Sequence, residues 1–230
     1  MNIYRINSVS TVKPAPLSAK KRANPEDLTG RFADRFSTEV LNRMAASAVA
    51  HRQFEQALTI LNQLVARCPR EARYYCNRGL VYFQAGQFLE ALADFNQAIG
   101  LSQHLDQTFN NRANCYAALG HIEAAIADYA QAIDLNPFNI KARINLAVTL
   151  RELERYDEAL DLLDEALVFN QLSKHVYAQL GRTYHLRGDW NAAIAYYQQA
   201  LDALQAENSG SDQPLQRQLL GWWRQLTQAS

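Results

Sequence analysis

The chain has 230 residues, and its 23 basic and 23 acidic side chains leave no formal net charge at pH 7. A neutral balance argues against nucleic acid as the main partner. No apolar run approaches the roughly 20 residues of a membrane-spanning helix, which points to a soluble protein. Cys68, Cys76 and Cys115 lack metal-type spacing and fit a reducing compartment, where they pack as small hydrophobes.

Residues 1–37 carry seven basic groups against three acidic ones, a balance of +4, together with Pro14, Pro16 and Pro25. With little apolar periodicity, this stretch reads as a flexible basic arm. A solvated tail, an organelle transit peptide and an arm that touches a partner or the protein itself all remain open.

From residue 38 to 207 a thirty-four-residue pattern recurs five times, as 38–71, 72–105, 106–139, 140–173 and 174–207. Its beat is Ala57, Ala91, Ala125, Ala159 and Ala193, each followed by an aliphatic residue. Three places before the beat stand Phe54, Phe88, Ile122, Tyr156 and Trp190. A period of this length means stacked helical hairpins rather than one globular core. Within a unit the apolar spacing predicts a first helix of about fourteen residues, a short turn and a second helix. Gly86, Gly120 and Gly188 occupy the turn, where a left-handed residue ends a helix at no steric cost. The beat alanine marks the close approach of two helices, so Ala125→Leu should cost roughly 1–3 kcal/mol by overpacking.

Beyond the last unit, residues 208–230 begin with a polar Ser-Gly linker, and Pro214 can open a final helix. Leu215, Leu219, Trp222, Trp223 and Leu226 fall mostly on one stripe, as expected of a helix capping the fifth unit. Adjacent tryptophans cannot both point inward on this reading, which leaves one of them half-exposed for a partner or a membrane surface.

The unit resembles the tetratricopeptide repeat. Matching residues are Tyr75, Gly79, Tyr82, Ala91 and Phe95 in the second unit, and Phe109, Tyr116, Ala125, Tyr129 and Pro137 in the third. The fifth supplies Tyr177, Leu180, Gly181, Tyr184, Ala193 and Tyr197, while the first and fourth keep fewer of the pattern's residues. The resemblance implies an all-α fold, a right-handed superhelix of antiparallel helix pairs with a concave groove lined mainly by first helices. In style, Asn77-Arg78-Gly79 with Ala93-Asp94-Phe95-Asn96-Gln97-Ala98-Ile99 is similar to repeats of cyanobacteria and plastids, some of which assist photosystem assembly.

Counting places from the start of each unit, place six reads Arg43, Asn77, Asn111, Asn145 and Gln179. Asparagine is a poor helix-interior residue, so its recurrence needs a reason. A carboxamide donates and accepts at once, which suits the backbone of an extended peptide. Neighbouring helices lie about 8–10 Å apart and three extended residues span about 10 Å, so one amide per unit matches a peptide in length. The resemblance carries the same implication, since an asparagine ladder at this place serves relatives that bind extended chains; inheritance of the asparagine without use is the alternative. Arg73, Asn110, Asn114, Lys141 and Arg182, with His175 and His185, fall on the same face where acids are scarce, which favours a mildly acidic partner segment. Arg151 and Glu152 fall near its rim. The carboxylate clamp of chaperone-tail binders is not matched, because the places that require its cations hold other residues.

Place seven, usually leucine in such repeats, is Arg78 and Arg112 in units two and three, and only there is place twenty-three acidic, as Asp94 and Asp128. Two partly buried ion pairs between the helices of a unit are expected, Arg78 with Asp94 and Arg112 with Asp128. The five histidines are scattered, and no phosphate loop, nucleophile elbow or metal-spaced cluster occurs, so no catalytic residue, cofactor or metal is expected. The sequence thus predicts a non-catalytic, cytoplasmic interaction scaffold gripping an extended partner segment. The alternatives are a structural subunit docking through its ends or its Trp-containing tail, and an assembly factor for photosynthetic complexes in an organelle stroma or at a thylakoid surface. Oligomeric state is not legible.

Overall fold

The computed structural model describes residues 36–169, 172–206 and 213–228. The expected basic arm and the Ser-Gly linker fall almost wholly outside the described residues. The rest is helical throughout: α1 (Thr38–Ala50), α2 (Phe54–Arg67), α3 (Ala72–Gln84), α4 (Phe88–Leu101), α5 (Asp106–Ala118), α6 (Ile122–Leu135), α7 (Ile140–Glu152), α8 (Tyr156–Val168), α9 (Ser173–Arg187), α10 (Trp190–Ala206) and α11 (Gln213–Gln228). Odd-numbered helices from α1 to α7 begin at place one, and α9 begins one residue early. Each even-numbered helix up to α10 begins at place seventeen, on the large residue three before the beat alanine.

Turn chemistry explains this register. In the first turn Gln53 N–H donates to Ala48 O at 2.9 Å and Arg52 N–H to Val49 O at 2.9 Å, which together close a Schellman cap. The same pair of bonds recurs at Gly86 and Gln87, at Glu154 and Arg155, and at Gly188 and Asp189. The cap requires a left-handed residue at place fifteen, and Gly86, Gly120 and Gly188 adopt φ of 81°, 80° and 96°. Two turns form without glycine, because Arg52 and Glu154 take the same conformation at φ 59° and 60°. The hairpin geometry therefore dominates over the local steric cost of about 1–2 kcal/mol.

The chain divides after Gly120 into two compact units. In the first, α1 packs on α2, α2 on α3, α3 on α4 and α4 on α5. Its core is built from Leu41, Ala45, Ala57, Ile60, Leu61, Leu64, Tyr74 and Val81, with a further cluster of Ala91, Phe95 and Cys115. In the second, α6 through α10 pack in succession and α11 lies on α9 and α10. All five beat alanines are fully buried. Small residues at place eight matter as much, since a Cβ added to Gly79 would stand 2.8 Å from Phe95 Cε1. One added to Gly181 would stand 2.4 Å from Tyr197 Cδ1.

Arg78 makes the expected ion pair, with Nε and Nη2 each 2.7 Å from an oxygen of buried Asp94. The pair and the hydrogen bond within it raise the arginine's pKa above its ordinary value. A third bond was not foreseen: Nη1 donates to Asn62 Oδ1 at 2.8 Å, so one guanidinium ties together α2, α3 and α4. Arg112 repeats the backward link, donating to Asn96 at 2.8 Å and lying over the Phe109 and Tyr116 rings. Asp128, like Asp94, is buried on its helix.

At the C-terminal end, α11 buries Leu215, Leu219 and Leu226 against Ala193, Tyr197 and Ala200. The expectation that one tryptophan is left half-exposed holds for both, since Trp222 and Trp223 are each half-buried, but neither turns away from the core. The Trp222 and Trp223 rings both pack on Tyr197, at 6.1 and 6.4 Å between centroids. Neighbouring helical residues diverge by about 100°, yet the one large Tyr197 ring is within packing range of both indoles, each of which stays only partly buried.

Candidate peptide-binding faces

Within the first unit, α3 and α5 are neighbouring first helices and carry Asn77 and Asn111 on one face. Asn77 is exposed, and its Nδ2 donates to Asn42 Oδ1 at 3.2 Å, reaching back to place five of the preceding repeat. Its carbonyl oxygen and second amide hydrogen are left to solvent. Asn111 is half-buried and makes the equivalent backward contact, a hydrogen bond with Cys76. Thr108 Oγ1 also donates to the Cys76 sulfur at 3.2 Å, yet burial outweighs both contacts and pushes the thiol pKa up. Burial alone raises Cys115 to about 12, so both cysteines behave as the apolar fillers expected of them. Place six thus has two tasks, joining successive first helices and presenting an amide outward.

The other polar residues of this face differ in depth. Arg73 is exposed, bonded to Glu71 at 3.2 Å and to the Tyr74 hydroxyl at 3.0 Å, with its guanidinium over the Tyr74 ring. Asn114 is half-buried, whereas Asn110 is buried on α5.

In the second unit the corresponding face is formed by α7 and α9, which are in contact. Lys141 and Asn145 are half-buried on α7. Gln179, which continues the amide row on α9, is buried and accepts a hydrogen bond from Arg151 Nη1 at 2.7 Å. Arg182 is half-buried, donates to Gln225 Oε1 at 2.9 Å and lies over the Trp222 ring. It also hydrogen-bonds the Tyr197 hydroxyl, whose pKa is pushed up to about 12 because burial exceeds the help of both arginines.

Arg151 departs from its expected place at the rim. It is 7% exposed, wedged between α7 and α9. Burial pulls its pKa down to about 10, with nearby Glu152 opposing the shift and Arg182 adding to it. Spacing assigns the side chain a direction, but its depth depends on how closely α9 approaches, which no single-helix pattern records. His185 is buried as well, its Nδ1 3.2 Å from the Tyr197 hydroxyl, and burial followed by the Arg182 charge lowers its pKa.

Three stretches match family models described as tetratricopeptide repeat: residues 44–108, 107–139 and 139–206. The chain is a tetratricopeptide-repeat protein. Solved structures agree on the fold. A thermophilic tetratricopeptide-repeat protein of Thermus thermophilus, TTC0263, superposes with a TM-score of 0.69 at 18% identity, over 81% of this chain and 99% of that one. PilW, a type IV pilus biogenesis factor, gives 0.68 at 16% identity, over 73% and 78%. YrrB, a tetratricopeptide-repeat protein with an unusual peptide-binding site, gives 0.56 at 19% identity, over 81% and 100%. No curated protein matches the sequence. Like these structures, the tetratricopeptide-repeat chain is all-α, and among its described residues no helix is long and apolar enough to cross a membrane.

Proposed function

We propose that this chain is a non-catalytic protein-interaction scaffold of five repeat units, which binds an extended segment of a partner protein along its first-helix faces. The observation that carries this reading is the place-six amide row, where Asn77 keeps hydrogen-bonding capacity in solvent and Asn111 and Asn145 are each partly accessible. Asn77 and Asn111 in the first unit would each grip peptide backbone, flanked by Arg73 and Asn114. Asn145 and Lys141 would do so in the second. Arg73, Lys141 and Arg182 favour an acidic segment. Gln179 and Asn110, being buried, act from behind the contacting layer. We assign the protein to the cytoplasm, a reducing compartment that suits its free thiols Cys68, Cys76 and Cys115.

The test combines Asn111→Ala with Asn145→Ala and measures partner capture by pull-down. Losing two hydrogen bonds of about 0.5–1.5 kcal/mol each should weaken binding roughly 5- to 150-fold. Because Asn111 also contacts Cys76, thermal melting must show the variant folded. Capture equal to wild type would reject the amide row as the binding element. A docking subunit attached through its tail has less support, since Tyr197 engages both indoles. A photosynthetic assembly role rests on repeat style alone.

A further inference from the structure

Arg151 has chemistry that the amide row does not use. Of its three nitrogens, Nη1 is committed to the neutral Gln179 Oε1, while Nε is buried with no hydrogen-bond partner among the described residues. Nη2 has Glu152 at 3.8 Å, beyond hydrogen-bond reach, with that carboxylate half-exposed. Arg182 is close enough to act on Arg151 electrostatically. Its partners are Gln225, the Trp222 face and the Tyr197 hydroxyl, and among the described residues it has no carboxylate partner. One desolvated cation therefore lies near a second, half-buried one, with Glu152 its loosely held acid, an arrangement that costs free energy unless an anion completes it. The Nε–Nη2 edge of a guanidinium is the fork that takes a planar carboxylate through two parallel N–H donors. On Arg151 that edge is the unspent one.

We propose that Arg151 and Arg182 form a carboxylate-binding subsite on the α7–α9 face, in which the Nε–Nη2 fork of Arg151 grips an acidic group of the bound segment and Arg182 supplies the second charge. The proposal rests on the peptide-binding reading, and names the chemical anchor that such a segment carries. It differs from the clamp of chaperone-tail binders, because Arg151 stands at place twelve, which that clamp does not use. Glu152 is the internal competitor for the same fork, held too far away to satisfy it.

The experiment follows the Nε–Hε signal of Arg151 by nitrogen-15 NMR on the full chain, identified by its disappearance in Arg151→Lys. The probes are N-acetyl-Ala-Glu-Ala-amide, its Gln counterpart, N-acetyl-Ala-Ala-Ala with a free C-terminus, inorganic phosphate, and sodium chloride at matched ionic strength. A saturating shift with a carboxylate probe, absent with the Gln probe and with chloride, is expected. Comparison of the first and third probes separates a side-chain acid from a chain terminus. Glu152→Gln, at an exposed residue, should tighten the titration, and Arg182→Gln should weaken it about tenfold. No saturating shift with either carboxylate, an equal response to chloride, saturation by phosphate alone, or indifference to both variants would overturn the assignment. These probes are too short to span the asparagine row, so a failed pull-down with the Asn variants and a failed titration here bear on different sites and are told apart.

Discussion

Glycine-to-alanine substitution at Gly181 and at Gly100 should move stability in opposite directions. Both residues are helical and neither has a left-handed backbone, so both gain about 0.5–1 kcal/mol of helix propensity from alanine. At Gly100 nothing lies within 4 Å of the added Cβ, and the gain should be realised in full. At Gly181 the Cβ would sit 2.4 Å from Tyr197 Cδ1 and 2.7 Å from Cε1. That ring is fully buried, stacked on Trp222 and contacted by Trp223 and His185, so it has nowhere to retreat. The strain belongs at the upper end of the overpacking range, about 3 kcal/mol, for a net loss of about 2 kcal/mol. Because propensity cancels in the comparison, the difference between the two variants isolates the strain. Units one and four combine Ala45 with Leu61 and Ala147 with Leu163 at these two places. Gly181→Ala joined to Tyr197→Leu should therefore lose less than the sum of the single losses, by at least about 1 kcal/mol. Urea unfolding followed by far-UV circular dichroism measures the wild type and the four variants. A stabilised Gly181→Ala, or strict additivity in the double variant, would refute the packing argument.

Arg78→Met should destabilise the protein by about 3–5 kcal/mol, since it strands a buried Asp94, whereas Arg78→Leu with Asp94→Leu should be near neutral or better; equilibrium unfolding separates the two. Glu154→Gly should raise stability by up to about 1 kcal/mol, because φ 60° is strained for glutamate and not for glycine, and a thermal melt should show the rise. His185 has a folded-state pKa below its ordinary 6.5, so the unfolded chain takes up the proton first. Its contribution is therefore present above that value and lost as pH falls below it, and His185→Gln should flatten the decline in stability measured between neutral pH and about pH 5.

Much of the fold is written locally. The beat alanines, the large residue that opens each second helix and the turn glycines each act within one hairpin, and they fix where helices start, stop and meet. Arg78 with Asp94 was legible for a related reason: comparing units exposed a coordinated change at two places that a helical hairpin brings together. Asn62 as a third member was missed although a signal exists: place twenty-five is Asn62 and Asn96 in the units just before the two arginines, but Ala130 and Asp164 before Leu146 and Leu180, a correlation that appears only when a unit is compared with its predecessor rather than within itself. The turns at Arg52 and Glu154 carry no glycine signal, yet they close the same cap because the packed helices on either side impose it.

The same distinction separates the two kinds of knowledge about the binding face. Sequence by itself determined the repeat, its helical register and the set of side chains that share a face, since a helix of fixed pitch assigns each residue a direction. Tertiary structure decided depth and pairing: Arg151 buried instead of at the rim, Gln179 turned to meet it, Asn77 and Asn111 reaching back to the previous helix, and both tryptophans set against Tyr197. The physical reason is that direction depends on one helix alone. Burial and hydrogen bonding depend on the distance to the next helix and on the volume of the side chains between them.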